Sequence, residues 1–117
     1  MSENIVATKS YAFALRIIKL YKFLITEQKE YVLSKQVLKS GTSIGALIKE
    51  AEHAQSRKDF TNKMNIALKE ANETDYWLML LKDSEYISLS SFDSMHNDCI
   101  ELIKLLASIV KSSKKDF

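Results

Sequence analysis

Apolar residues recur every three or four positions along most of the chain, which is the spacing of amphipathic helices. Two stretches show this spacing as strict heptads, with alternating steps of three and four. The first comprises Phe60, Met64, Ala67, Ala71, Thr74, Leu78 and Leu81, and the second Phe92, Met95, Cys99, Leu102, Leu106 and Ile109. Such seams predict two long helices that pack against neighbouring helices along their whole length.

A first helix is predicted from about Glu3 to Thr26, with Ser2 as its N-cap. Its apolar residues form two sets, the first being Ile5, Tyr11, Ala12, Leu15, Ile18 and Ile25, and the second Phe13, Ile17, Leu20, Tyr21 and Leu24. Together they cover more than one narrow face. A helix this apolar usually packs against more than one neighbour.

A second helix is predicted from about Val32 to Ala54. Its inward stripe comprises Leu33, Val37, Ser40, Ile44, either Leu47 or Ile48, and Ala51. Gly41 and Gly45 lie one turn apart on the same face, and each glycine costs about 1 kcal/mol relative to alanine in a helix interior. We expect the close approach of another backbone to offset that cost.

Serine and aspartate mark the starts of the last two helices. Ser56-x-x-Asp59 and Ser90-x-x-Asp93 both read as capping boxes, and the third helix is expected to end near Lys82. Residues 27–30 and 83–89 are short connections, and residues 111–115 are predicted to form a frayed basic tail. Short connections favour antiparallel neighbours. The fold class is therefore all-α, an antiparallel up-down-up-down four-helix bundle of roughly 30–38 Å in length, since a helix rises ~1.5 Å per residue.

Composition narrows the class of protein further. The 117 residues, of which 46% are hydrophobic, suit one domain over residues 1–117. The chain has no proline, which favours long helices, and one cysteine, which fits a reducing cytoplasm. We find no signal peptide or membrane-spanning run, so a cytoplasmic protein without a membrane partner is expected. The net charge of +2 neither requires nor excludes nucleic acid.

Two segments resemble the signature of a known family. SIGALIKEAEHAQSRKDF and IALKEANETDYWLMLL are similar to the core of the four-helix bundle proteins encoded within intervening sequences of bacterial 23S ribosomal RNA genes. Matching positions include Gln36, Ser40, Thr42, Ser43, Ile44, Gly45, Glu50, Ala51, Asp59, Phe60, Ala67, Leu68, Glu70, Ala71, Glu73, Trp77 and Leu78. The chain departs from the family at residues 47–50, where Leu-Ile-Lys-Glu stands in place of the usual Asn-Ile-Ala-Glu.

The resemblance implies a bundle that assembles into a ring, typically a homopentamer, and no established enzymatic activity. The leading interpretation is therefore a non-enzymatic, oligomeric scaffold or interaction protein whose partner is itself. The fold also resembles the accessory protein of diversity-generating retroelements, a basic pentameric bundle that works with a reverse transcriptase and nucleic acid. The alternative function is accordingly an RNA- or DNA-binding ring.

Candidate residues for a subunit interface or a structural role are Gly41, Gly45, Glu50, Phe60, Glu70, Glu73, Tyr76 and Trp77. The three glutamates form either a polar network at an interface, an acid/base pair, or solvated helix faces. The two neighbouring aromatic residues are typical of a core or an interface. Stacking on nucleobases is their alternative role.

Candidate nucleic-acid-binding residues are Lys9, Arg16, Lys19, Lys22, Lys111, Lys114 and Lys115. A ring would present such a group once per subunit, and phosphate contacts add through the release of counterions. The alternative for these residues is an ordinary solvated surface.

A metal-dependent enzyme is a third hypothesis, because Glu50 and His53 have the Glu-x-x-His spacing of di-iron bundles. Asp93 and His96 would supply the second copy, and Glu70 and Glu73 the remaining carboxylates. Met95 belongs to the apolar seam, however, which should turn Asp93 and His96 aside. Cys99 is a seam residue and reads as a core hydrophobe. We expect no catalytic residue, metal or cofactor.

Overall fold

The computed structural model describes residues 2–115, with side chains from residue 5 onward. It contains α1 (Ser2–Thr26), α2 (Leu33–Ala51), α3 (Arg57–Asp83) and α4 (Leu89–Lys114). The predicted cap at Ser2 concerns a side chain outside the described ones. No helix in this part of the chain is long and apolar enough to cross a membrane.

The four helices form the predicted antiparallel bundle. Each packs on its neighbours in the order α1, α2, α3 and α4, and α4 closes the bundle by packing more loosely on α1. The bundle measures 47 × 21 × 19 Å along its principal axes. It is longer than predicted because α3 and α4 contain 27 and 26 residues.

One hydrophobic cluster runs through all four helices. Every member of the two predicted seams is buried except Phe60, which is half-buried. In α2 the inward residue is Ile48, and Leu47 is only partly covered. The two sets of apolar residues on α1 differ in burial. Phe13, Ile17 and Leu24 of the second set are buried, whereas most of the first set is exposed.

Two predicted helix ends were wrong. The N-cap of α4 is Ser88, whose hydroxyl accepts a hydrogen bond from the Ser91 amide, so the helix begins before Ser90. The α2 helix ends at Ala51, because the next amides tighten into three-residue turns such as Ala54 N to Ala51 O at 3.1 Å. Ser56 caps α3 as predicted, since its hydroxyl accepts from the Asp59 amide at 3.0 Å.

The predicted frayed tail was also wrong, because α4 stays helical to Lys114. Ser113 is only 3% exposed and its hydroxyl shares a hydrogen bond with the buried hydroxyl of Thr61 on α3. In the sequence Ser113 stands among lysines, but its side chain faces inward while Lys111 and Lys114 face solvent. The basic tail is thus the last docked turn of the bundle.

The connections end their helices without glycine. Glu85 follows α3 with φ of 65°, and the Tyr86 amide bonds the Leu81 carbonyl, as in a Schellman motif. Lys29 also has a positive φ, of 55°, after α1, but there the Glu30 amide bonds the Leu24 carbonyl, one residue further back than in the Schellman motif. Such ends are normally signalled by glycine, so they could not be recognised from the residue types at these positions.

Glu30 is a buried carboxylate that caps α2. Its side chain is 8% exposed and accepts hydrogen bonds from the backbone amides of Val32, Leu33 and Ser34. Burial by itself raises the pKa of Glu30, but the bonds from Leu33, Ser34 and Val32 outweigh it and leave the pKa below its usual value. The ionised form is therefore the one that stabilises the fold.

We expect Glu30→Gln to lower the free energy of unfolding at pH 7 by about 1–2 kcal/mol, because charge-assisted bonds to the helix start are lost. A group whose pKa is lowered by folding contributes stability above its unfolded pKa of about 4.3, and the contribution is lost as pH falls through the folded value. Urea unfolding should therefore show a difference between wild type and variant that shrinks on acidification. Glu27→Gln, an exposed change in the same connection, is the control. Equal effects of both changes would contradict the capping role.

Candidate functional site

The outer face of α1 carries an uncovered apolar stripe. Tyr11 and Leu15 are 69% and 53% exposed, and Ile18 lies one turn further on. These three residues follow the spacing i, i+4, i+7, so they share one side of the helix. Ile5 and Phe23 are also exposed on α1, but they lie to one side of this stripe, and Phe23 lines the cleft between α1 and α4. A contiguous exposed patch of this kind marks an interaction surface more often than scattered single residues do.

A second uncovered apolar surface lies on α3. Tyr76 is 55% exposed, and Met79, three residues later, is 44% exposed on the same side of the helix. Ile66 is also exposed on α3, but it lies outside this surface. The Tyr76 ring packs edge-on against half-buried Trp77, with centroids 5.3 Å apart. The Trp77 indole nitrogen donates to the Glu73 carboxylate at 3.3 Å. Tyr76 thus belongs to the surface, whereas Trp77 joins that surface to the core.

Two carboxylates crowd the same part of α3. Burial raises the pKa of Glu70, and the neighbouring charge of Glu73 raises it further. Lys39 of α2 and Lys69 offset this only in part. The two carboxylates therefore lie close together, with Lys39 and Lys69 as their charged neighbours.

Glu50 and Phe60 occupy the opposite end of the bundle. Glu50 is exposed, with Lys63 of α3 3.6 Å away. Phe60 is half-buried against the core and lies under the Arg57 guanidinium at 5.5 Å. The structure does not bring these two residues to the apolar surfaces of α1 or α3, so the candidate interface set is divided between two places.

The two glycines of α2 both face α1. A methyl group at Gly45 would lie 3.4–3.6 Å from Ser10, which is ordinary van der Waals contact, so the expected backbone approach close enough to require glycine is not found there. A methyl group at Gly41 would instead meet the side chain of Ile17 at 2.7–2.9 Å. Both positions serve packing between α1 and α2.

The predicted basic residues do not form one patch. Lys9 and Arg16 turn to α4, where they pair with Glu101 at 3.2 Å and Asp98 at 2.6 Å. Lys19 and Lys22 remain on the exposed side of α1. The α4 group, Lys111, Lys114 and Lys115, lies at the other end of the bundle, where Lys114 neighbours the start of α3.

A cleft of about 1000 Å³ opens between α1 and the start of α4. Arg16, Lys19 and Leu20 line one wall, while the other includes Ser91 and Ser94. Arg16 also donates to the hydroxyl of Ser94 at 2.9 Å, so the cleft is bridged part-way along its length. The cleft arises where α1 and α4 pack loosely.

A polar pair that the sequence did not reveal joins α3 to α4. His96 Nδ1 lies 2.6 Å from an oxygen of Asp75, and the His96 ring stacks on Phe92. Cys99 follows one turn later, but it is fully buried and its thiol donates to the Ala71 carbonyl. Burial, with the nearby charge of Asp75, raises the pKa of Cys99 to about 12, so the thiol stays protonated and unreactive. This pairing could not be recognised from the sequence, since the two partners are 21 residues apart and meet only in the folded bundle.

The residues of the metal hypothesis are dispersed. Glu50 pairs with Lys63, while His53 and Asp93 are exposed and His96 is held by Asp75. Within residues 5–115, no three or more His, Cys, Asp or Glu side chains come together as metal ligands would.

Comparison with known proteins connects this geometry to a family. The profile of the family described as 23S rRNA-intervening sequence protein matches residues 2–108. The chain belongs to this family. The resemblance found in the sequence is thereby confirmed.

A solved structure is also highly similar to this chain. It is the crystal structure of a protein of unknown function from the S23 ribosomal protein family of Bacteroides thetaiotaomicron VPI-5482. The two chains are 63% identical with a TM-score of 0.94, and the match covers 95% of this chain and 99% of the other. Among curated proteins, none is similar to the chain.

Residues 47–50 are the segment at which we expect the chain to depart from its family. Leu47 packs partly buried against the core cluster. The contact at this position is therefore apolar. Lys49 is exposed, so its replacement of alanine leaves the packing unchanged.

Proposed function

We propose that this family member is a non-enzymatic interaction protein of the cytoplasm that works as a ring of identical subunits. The apolar stripe of Tyr11, Leu15 and Ile18 carries the proposal, because a second copy of the chain would remove it from water. The resemblance implies a ring of five subunits, so five is the number of copies that we expect.

The side chains of the bundle support an interaction protein more than an enzyme. Cys99 is a protonated core thiol, and His96 is held by Asp75 while Phe92 stacks on its ring. Covalent catalysis needs a nucleophile and a base within hydrogen-bond reach of each other. The Cys99 thiol instead donates to the Ala71 carbonyl. The exposed surfaces offer apolar and charged groups for contact.

A nucleic-acid-binding ring is the second candidate. Every charged residue between 5 and 26 is basic, and Lys19 and Lys22 lie exposed on α1. Repetition around a ring would multiply this modest charge.

Protein purified at 50 mM salt should then retain nucleic acid, seen as excess absorbance at 260 nm, and should bind a labelled RNA or DNA less tightly as salt rises. Absence of binding at low salt would contradict this candidate.

We expect Leu15→Ser to reduce the mass of the assembly in solution, because it removes the centre of the apolar stripe while leaving the core untouched. Leu89→Ser is the matched control, since Leu89 is 65% exposed but lies at the start of α4. Light scattering should show a fall in mass for Leu15→Ser alone, with unchanged helix content by circular dichroism. An unchanged mass for Leu15→Ser would contradict the role of the stripe.

A further inference from the structure

We propose that the subunit contact joins two different surfaces, with the outer face of α1 (Tyr11, Leu15, Ile18, Lys19 and Lys22) docked on the α3 surface (Glu73, Tyr76 and Met79) of the next copy. This inference rests on the proposed self-association and specifies which surfaces meet. A contact between two unlike surfaces repeats from copy to copy, and it closes when the rotation between copies completes a ring.

Charge complementarity selects this pairing. All charged residues of α1 between 5 and 26 are basic, whereas all those of α3 between 70 and 81 are acidic. Contact between two α1 faces would bring Lys19 and Lys22 against their own copies, and like charges across an interface cost free energy. Contact between α1 and α3 instead sets lysines beside Glu70 and Glu73, two carboxylates close enough for their charges to repel.

The two surfaces also lie at the same height in the bundle. Ile17 of α1 faces Gly41 of α2, and Thr74 of α3 bonds Ser40 at 2.9 Å, so residues 17 and 74 are level. Lys19 and Glu73 are therefore offset by about three residues, or ~4–5 Å at 1.5 Å per residue. A lysine side chain spans this distance. The α1 and α3 helices also run in the same direction, which a rotation about an axis parallel to the bundle preserves.

The α1 face looks outward between its two neighbouring helices. Tyr11 borders the groove between α1 and α2, whereas Lys19 lines the cleft between α1 and α4. The α1 and α3 helices lie diagonally opposite in the bundle, so each subunit can contact one neighbouring copy through α1 and another through α3.

A charge exchange tests the contact. We expect Lys19→Glu and Glu73→Lys each to lower the mass measured by light scattering at 50 mM salt, and the double variant to regain the wild-type mass. All the changed residues are exposed, so helix content and thermal unfolding should stay unchanged. Lys111→Glu, at the opposite end of the bundle, is the control and should leave the mass as it is.

The outcomes separate this inference from the proposed function. If the wild type assembles but the single exchanges leave its mass unchanged, or the double variant is no better than the singles, the α1–α3 contact is wrong and self-association stands. A monomeric wild type overturns both. Recovery of the assembly by the double variant supports the contact, since a merely structural effect of the single changes would add up rather than cancel.

Discussion

Replacing Ser113 by glutamate is expected to destabilise the bundle by about 2–3 kcal/mol, the range for burying a polar or charged group without a partner. Ser113 is 3% exposed and its hydroxyl bonds Thr61 on α3. A carboxylate there must either be buried beside Thr61 or unwind the last turn of α4, which would also uncover Val110. Urea or thermal unfolding measures the loss.

Ser112→Glu is the matched control for this change. Ser112 is exposed one position earlier, so the control adds the same charge near the same helix end. An acidic residue near a helix C-terminus costs about 0.3–1 kcal/mol, and the control should show only that. If the two variants unfold alike, the last turn of α4 is not docked and the frayed tail predicted from the sequence is correct.

Gly41→Ala is expected to destabilise the protein by about 1–2 kcal/mol, although alanine normally strengthens a helix by about 1 kcal/mol over glycine. The added methyl group would lie 2.7–2.9 Å from three atoms of the Ile17 side chain. Ile17 is fully buried and β-branched, so it has few alternative conformations on a helix. Overpacking of this kind costs about 1–3 kcal/mol and outweighs the gain in helix propensity.

Gly45→Ala, one turn later, should have the opposite sign. Its methyl group would meet Ser10 atoms at 3.4–3.6 Å, close to ordinary van der Waals contact. The variant should therefore be neutral or up to about 1 kcal/mol more stable. Chemical unfolding of both variants decides the matter, and a stabilising Gly41→Ala would contradict the packing of Ile17 against α2.

The parts of the fold that the sequence predicted well are those in which one face of a helix is apolar and the other polar. The seams of α3 and α4 are of this kind, so the spacing of apolar residues alone places Met64, Leu78 and Leu102 in the core. Helix α1 is different because apolar residues surround more than half of it. The set of α1 residues that faces inward is decided by the positions of α2 and α4. The spacing of apolar residues along α1 does not reveal those positions.

Polar residues with structural roles were the main omissions. Ser113 and Glu30 lie in polar stretches that read as a tail and a loop, yet both are buried in the folded bundle. Ser88 and Ser90 offer the same capping chemistry two positions apart, and only the backbone decides between them. The pairing of His96 with Asp75 spans two helices, so it too depended on the tertiary structure.

The candidate interface residues stay a prediction. The sequence offered Glu70, Glu73, Tyr76 and Trp77 within a set of eight, and these four lie on the middle of α3, whereas Gly41, Gly45, Glu50 and Phe60 lie elsewhere. The sequence showed surplus apolar residues on α1 but not that Tyr11 and Leu15 are exposed, because both are equally suited to a core. Lys9 and Arg16 were grouped with the other basic residues, but each is drawn into an ion pair with α4.

The solution mass of the wild-type protein tests the central claim most directly. Light scattering coupled to size-exclusion chromatography, at micromolar concentration, should give a single species of about five times the 13.4 kDa chain. A ring of another size would keep the claim of self-association and correct its expected number of subunits. A stable monomer would contradict the account, since Tyr11, Leu15 and Ile18 would then face water in the functional protein.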